Sequence, residues 1–172
     1  MTGYSNTMTR NILFSGLMLL GSGFGLLSAQ SINDLNLKDV DGKAFSIETA
    51  LTRGPVLLAF WATWCKPCRK ELPALKTIYE TYVDSGLTIL AVSQDAPRSL
   101  GKVRSFIKAS GLPYNFLIDP NGEQSSRLYV RDIPYLILAN RSGRVIYTHR
   151  GYRTGDEIEV KEQVIRVLES GQ

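Results

Sequence analysis

The feature that most constrains this chain is a short apolar strand that runs directly into a pair of cysteines. Residues 56–60 form a continuous apolar run, which is typical of a strand buried on both faces. The chain then reads Trp-Ala-Thr-Trp-Cys-Lys-Pro-Cys, and Cys65 and Cys68 are the only cysteines in 172 residues. Two cysteines at this spacing, where a strand turns into a helix, indicate a reversible dithiol/disulfide switch.

The chemistry of such a switch depends on the thiolate. A free thiol with a pKa of about 8.5 is mostly protonated near neutrality, and only the thiolate attacks a disulfide. A helix that opens at Cys65 would direct backbone N–H groups and the positive end of its dipole at that sulfur. Lys66, Arg69 and Lys70 either add useful positive charge or are simply solvated. Cys68, one helical turn later and more buried, is expected to be the resolving thiol.

Three other interpretations of the pair compete with this one. A structural disulfide across so short a loop stabilises a fold by only about 2 kcal/mol on the loop-entropy model. A structural zinc site needs four ligands, and beyond the cysteines the chain offers only His149. Two buried, unreactive thiols are the third interpretation. His149 itself lies at the end of a predicted hairpin strand and is expected to be structural or solvated.

Two stretches of the chain resemble a known family. Residues 60–73, which contain Trp-Cys-Lys-Pro-Cys-Arg-Lys-Glu-Leu-Pro, resemble the thioredoxin superfamily and, more narrowly, its exported TlpA/ResA/DsbE branch. The signature of that branch runs Trp-Cys-x-Pro-Cys-x-x-Glu-x-Pro. Residues 129–134, Tyr-Val-Arg-Asp-Ile-Pro, resemble the segment before the cis-proline strand of the same family. The resemblance covers the whole chain after residue 29.

This resemblance implies a thiol:disulfide oxidoreductase without cofactor or metal. Cys65 attacks the substrate disulfide and Cys68 releases the product, while Trp64, Ile133 and Pro134 contact the substrate. The bond between the last two is expected to be cis.

Two positions depart from the family pattern. Ala59 replaces a buried Asp of thioredoxins, so no acid is available there to accept a proton. Asp132 stands where the family usually has Gly, which leaves the geometry of that loop open.

Glu71 is the predicted proton acceptor in place of the missing acid. It follows Cys68 by three residues, so the two share one helix face. Burial beside the dithiol and the nearby thiolate should raise the pKa of Glu71 and enable it to take the Cys68 proton. The alternative is a solvated glutamate paired with Lys70 or Lys76.

Substrates and partners follow from the resemblance. The chain is expected to act as a reductant of protein disulfides, such as those of apocytochrome c or another exported thiol protein, with electrons from a membrane donor. Two alternatives use the same cysteines. A Cu(I) carrier would hold the metal between two thiolates, although Thr63 stands where copper chaperones carry Met. A thiol peroxidase would need a Pro-x-x-x-Thr-x-x-Cys context, which residues 60–68 lack.

The amino terminus predicts export. Arg10 precedes an uncharged, mostly apolar segment over residues 11–30, and no Asp or Glu occurs before Asp34. Residues 1–29 are therefore expected to be a signal peptide cleaved after Ala29 or, alternatively, a retained membrane anchor, which places the protein in the periplasm or on the outer face of the membrane. Residues 30–172 then form one domain with 19 basic and 16 acidic residues. That charge is too small to indicate nucleic-acid binding.

The alternation of strands and helices predicts an α/β thioredoxin-like fold with a central mixed sheet flanked by helices. An initial hairpin is expected over residues 35–39 and 44–47. A central strand-helix insertion is expected to contribute a helix near 98–109. The remaining predicted strands cover 87–92, 114–118, 134–140 and 144–150. A capping box from Thr154 to Glu157 is expected to open the last helix.

Overall fold

The computed structural model describes residues 1–3 and 30–171 and contains a seven-stranded sheet. The strands are β1 (Leu37–Asp39), β2 (Ala44–Phe45), β3 (Val56–Trp61), β4 (Thr88–Ser93), β5 (Asn115–Ile118), β6 (Tyr135–Ala139) and β7 (Val145–Arg150). The helices are α1 (Ile47–Arg53), α2 (Cys68–Tyr82), α3 (Leu100–Ser110), α4 (Glu123–Arg127) and α5 (Asp156–Ser170).

The predicted export segment lies outside the described residues, apart from its first three. The predicted cleavage point after Ala29 lies outside them as well. None of the helices in the described part of the chain combines the length and the apolar character of a membrane-spanning segment.

The sheet is mixed and has the strand order β2-β1-β5-β4-β3-β6-β7. The pairs β3–β4 and β4–β5 are parallel, and the other neighbouring pairs are antiparallel. Phe60 pairs with Tyr135, and Trp61 pairs with Ser93. The end of β3, the end of β4 and the start of β6 therefore meet at one edge of the sheet, and the cysteines follow directly from that edge. The predicted mixed sheet with flanking helices is confirmed.

Alternate residues of β3 point into two separate cores, as the period of a strand dictates. Leu57, Ala59 and Trp61 pack on the side covered by α2, α3 and α5, and both cysteines belong to this core. Leu58 and Phe60 pack on the side covered by α1 and by the segment that precedes β1. All six residues of β3 are buried, as the apolar run predicts.

The first hairpin is shorter than predicted, because Ile47 begins α1 instead of ending a strand. Ser46 caps this helix, and its Oγ accepts a hydrogen bond from the Thr49 backbone N–H at 3.1 Å. The short helix α4, of five residues, was not predicted. The helix predicted near residues 98–109 is present as α3, preceded by a 3₁₀ turn over Pro97–Ser99.

The start of α5 differs from the predicted capping box. Gly155, with φ +106°, is the N-cap, and no side chain caps the helix from that position. Glu157 accepts the N–H of Gly155 at 3.0 Å, and Asp156 accepts the N–H of Arg153 at 2.7 Å. The left-handed turn at glycine displaces Thr154 from the capping position that the spacing predicted.

Candidate active site

Cys65 and Cys68 form a disulfide at the carboxyl end of β3. Cys65 is 5% exposed and Cys68 is fully buried. The two sulfurs are therefore unequal in the direction that the sequence predicts, with the first cysteine nearer to solvent. The Cα atoms are 5.3 Å apart, as one turn at the start of a helix allows.

The helix begins three residues later than predicted. Cys68, not Cys65, is the first residue of α2, and Pro67 is its N-cap. The N–H of Cys65 is used in the loop, where it donates to the carbonyl of Ala62 at 3.0 Å. The N–H of Cys68 donates to the Sγ of Cys65 at 3.3 Å. One backbone donor of the helix start thus does reach this sulfur, and with the helix dipole it favours a thiolate there.

Asp95 holds the loop that carries Cys65. Its carboxylate accepts the Thr63 N–H at 2.8 Å and the Thr63 hydroxyl at 2.6 Å. The Ser93 hydroxyl donates to the same carboxylate at 2.9 Å, and Asp95 is 1% exposed. The structure therefore places Asp95 as a buried acceptor that ties the active-site loop to the end of β4.

Glu71 is buried on α2, one turn beyond Cys68. It is 1% exposed, and neither carboxyl oxygen has a hydrogen-bond partner among residues 30–171. Burial raises the pKa of Glu71 from 4.5 to about 8, and the negative charge of Asp156 adds to this effect. Lys76 pairs instead with Glu80 at 3.6 Å. The alternative of a solvated Glu71 is therefore wrong. The predicted rise in its pKa and the predicted effect of burial are confirmed, but the charge that adds to burial is that of Asp156 and not that of a thiolate.

The predicted substrate-contacting residues lie at the same edge of the sheet. Trp64 is 69% exposed, Ile133 is half-buried and Pro134 is buried. The Ile133–Pro134 bond is cis, as the resemblance implies. Because Tyr135 pairs with Phe60 of β3, Pro134 lies next to the strand that leads into the cysteines.

The two positions that depart from the family pattern, Ala59 and Asp132, lie in different environments. Ala59 is fully buried in the core that contains the cysteines, so no acid lies at that position. Asp132 is exposed and forms an ion pair with Arg150 at the end of β7.

His149 is structural, as predicted. Its Nδ1 lies 3.2 Å from the hydroxyl of Tyr147, and its Nε2 lies 3.1 Å from the carboxylate of Asp156. The ring thereby joins β7 to the start of α5.

Comparisons with known proteins agree with this geometry. The AhpC/TSA family profile matches residues 29–148. The chain is 34% identical over 121 residues to the thiol-disulfide oxidoreductase ResA of Bacillus thuringiensis subsp. konkukian, covering 70% of this chain and 68% of that one. It is 35% identical over 138 residues to the thioredoxin-like protein YneN of Bacillus subtilis, covering 80% and 79%.

Solved structures show the same fold. A crystal structure of a putative thiol:disulfide interchange protein DsbE from Chlorobium tepidum superposes with a TM-score of 0.73 at 27% identity. The superposition covers 81% of this chain and 96% of that one. The predicted thioredoxin-like fold is thereby confirmed.

Proposed function

Because the chain belongs to the AhpC/TSA family of thioredoxin-like proteins and is a thiol-disulfide oxidoreductase, we propose that it reduces protein disulfides outside the cytoplasm. The observation that carries this proposal is the buried carboxyl of Glu71, which has no hydrogen-bond partner among residues 30–171 and lies one turn of α2 beyond Cys68. A carboxyl with a pKa of about 8 can exchange a proton with a buried thiol near neutral pH.

The proposed reaction starts from the reduced protein. The Cys65 thiolate attacks one sulfur of the substrate disulfide, forms a mixed disulfide and releases the first substrate thiolate. Glu71 then accepts the proton of Cys68. The new Cys68 thiolate attacks the Cys65 sulfur, which restores the disulfide of this protein and releases the second substrate thiolate. Two electrons have passed to the substrate, and the two released thiolates take up protons.

The remaining parts of the site are proposed to hold the substrate. The exposed indole of Trp64 provides an apolar contact next to Cys65. The backbone of Ile133, which precedes the cis proline, pairs with an extended substrate segment. Buried Pro134 shapes the surface opposite the dithiol.

Location and partners rest on the sequence and the family resemblance. Residues 1–29 act as an export signal or a membrane tether, and residues 30–172 form the thioredoxin-like domain in the periplasm or on the outer face of the membrane. A membrane electron donor reduces the disulfide again. Apocytochrome c, whose thiols must be reduced, is one proposed substrate. The amino-terminal sequence of the native protein tests this: a start near Gln30 supports cleavage, and a soluble cytoplasmic form starting at Met1 contradicts export.

The direction of electron flow is tested by the reduction potential. We expect equilibration with glutathione or thioredoxin to give a value near that of thioredoxin, about −270 mV, which suits a reductant. A value near that of DsbA, about −120 mV, would make the protein an oxidant. Anaerobic Cu(I) titration and a peroxide consumption assay distinguish the copper carrier and the thiol peroxidase from this function.

A further inference from the structure

Three segments meet at the edge of the sheet that carries the disulfide. Residues 62–71 follow β3, residues 94–99 follow β4, and residues 129–134 precede β6. The three strands are direct neighbours in the sheet. Adjacent strands are about 4.8 Å apart, so these segments leave the sheet within about 10 Å of one another.

The three segments carry five basic side chains, all of which are exposed. We call them the cationic rim: Lys66, Arg69, Lys70, Arg98 and Arg131. Among residues 30–171, none of the five forms an ion pair. Their charges are therefore available to a partner that approaches the disulfide.

The three acidic residues of the same segments do not offset this charge at the surface. Glu71 is buried, and burial raises its pKa, which favours the neutral form near pH 7. Asp95 is buried and engaged by Thr63 and Ser93. Asp132 is paired with Arg150. The surface of these three segments thus carries a net positive charge, and at physiological ionic strength the Debye length of about 8 Å allows neighbouring charges to act together.

An apolar side chain lies among these charges. Trp64 directly precedes Cys65 and is 69% exposed. A polypeptide that docks here brings its own cysteine to Cys65, so the residues flanking that cysteine face the cationic rim. Asp and Glu at those flanking positions are attracted, whereas Lys and Arg are repelled.

We propose that the cationic rim selects protein disulfides whose cysteines are flanked by acidic residues. This inference rests on the proposed exchange with protein substrates and adds a preference among them. The rim acts on the encounter, since complementary charge mainly raises the association rate, while the sulfur chemistry stays the same.

Three peptide disulfides of equal length test the proposal. Each has one cysteine bonded to the same small thiol, and the cysteine is flanked by Glu, Gln or Lys. With the reduced protein at low ionic strength, we expect the Glu peptide to react about tenfold faster than the Lys peptide. At 0.5 M salt the Debye length falls to about 4 Å, and the difference should shrink to less than about twofold. Equal rates for the three peptides at low salt would overturn the proposal.

Matched double variants locate the effect. Lys70→Glu/Arg98→Glu changes two members of the rim, and Lys108→Glu/Arg144→Glu makes the same charge change in exposed residues near the opposite edge of the sheet. We expect only the first to abolish or reverse the preference for the Glu peptide. Equal effects of both variants would assign the preference to net charge and overturn the proposal.

An uncharged small disulfide, measured with every protein, reports on the exchange chemistry itself. Rates with the peptides are divided by this rate, which removes any effect of the substitutions on the thiol. No reaction of the wild-type protein with the uncharged disulfide would refute the proposed function. A normal reaction with it, together with no discrimination among the three peptides, would refute only the role of the cationic rim.

Discussion

At the scale of single residues, Glu71 links the stability of the fold to pH. The carboxyl ionises near 4.5 in the unfolded chain and near 8 in the folded protein. Between these values the unfolded state binds fewer protons than the folded state, so raising the pH favours unfolding. The stabilisation present below about pH 4.5 is therefore lost as the pH rises towards 8.

Replacing this residue should remove that pH dependence. We expect Glu71→Gln to gain stability relative to wild type as the pH rises from 5 to 8, by on the order of 4 kcal/mol. Urea unfolding of the oxidised proteins at several pH values measures the difference. Glu80→Gln is the control, because Glu80 is exposed on the same helix. If the unfolding free energies of wild type and Glu71→Gln changed in parallel with pH, the carboxyl of Glu71 would ionise normally in the folded protein.

The same residue should control the second step of exchange. Only ionised Glu71 can accept the Cys68 proton, so resolution of the mixed disulfide should accelerate as the pH rises towards about 8. In Glu71→Gln we expect this step to be at least tenfold slower, because a general base typically accelerates a proton-transfer step by about 100-fold or more. Stopped-flow measurement of product release tests this, and an unchanged pH profile in the variant would argue against the role.

Asp95 is also a buried acid, and it holds the loop that carries Cys65. Asp95→Asn leaves at least one donor of Thr63 without an acceptor, which should cost about 1–3 kcal/mol of folding free energy. Thr63→Val removes only the hydroxyl contact and should cost less. The double variant should be less destabilised than the sum, because both changes act on the same pair of contacting side chains. Additive effects in urea unfolding would contradict the clamp.

At the scale of elements, the turn after α1 and the turn after α2 are in contact at the edge of the sheet opposite the disulfide. Gly86 precedes β4 with φ +100°, and a Cβ there would lie 2.3 Å from the carbonyl oxygen of Arg53. Both the left-handed backbone and this contact exclude a side chain, because the neighbouring atom is itself backbone.

Gly86→Ala should therefore destabilise the protein by at least about 2 kcal/mol. Gly101→Ala is the matched control, since Gly101 lies in α3 and a Cβ added there would have no atom within 4 Å. At that position alanine should stabilise by up to about 1 kcal/mol. Thermal unfolding of the two variants measures the contrast. Similar melting temperatures would mean that the turn relaxes freely.

Elements with a strong local signal can be predicted, and those that depend on a cap or a turn cannot. The apolar runs of β3 and β4 identify buried strands from sequence alone. By contrast, α1 has only seven residues, and its N-cap, Ser46, lies within residues 44–47, which the sequence predicts as a strand. The motif predicts that α2 starts at Cys65, but the helix starts at Cys68. The sequence does not show that the Cys65 N–H donates to the loop carbonyl of Ala62.

The site divides in the same way. The spacing of Cys65, Cys68 and Glu71 along one segment predicts a dithiol with a buried acid nearby. The contact between Thr63 and Asp95 joins residues 32 positions apart, and it arises only because β4 lies beside β3. Sequence periodicity carries no signal for such a contact, although an Asp two residues after a buried strand marks the edge of the sheet where it forms.

At the scale of the whole molecule, the fold makes the two ends of one disulfide unequal. Cys65 leaves the sheet on the loop held by Asp95, is slightly exposed and accepts the N–H at the start of α2. Cys68 lies inside α2, fully buried and one turn from Glu71. We infer that this asymmetry assigns attack to the first sulfur and resolution to the second.

Trapping of mixed disulfides shows which sulfur attacks the substrate. Each single variant, Cys65→Ser and Cys68→Ser, is mixed with a disulfide-bonded protein substrate, and the covalent complexes are separated under non-reducing conditions and identified by mass spectrometry. We predict that Cys68→Ser accumulates a complex through Cys65, because no second thiol can release it, and that Cys65→Ser forms none. A complex formed by Cys65→Ser alone would show that Cys68 is the attacking thiol.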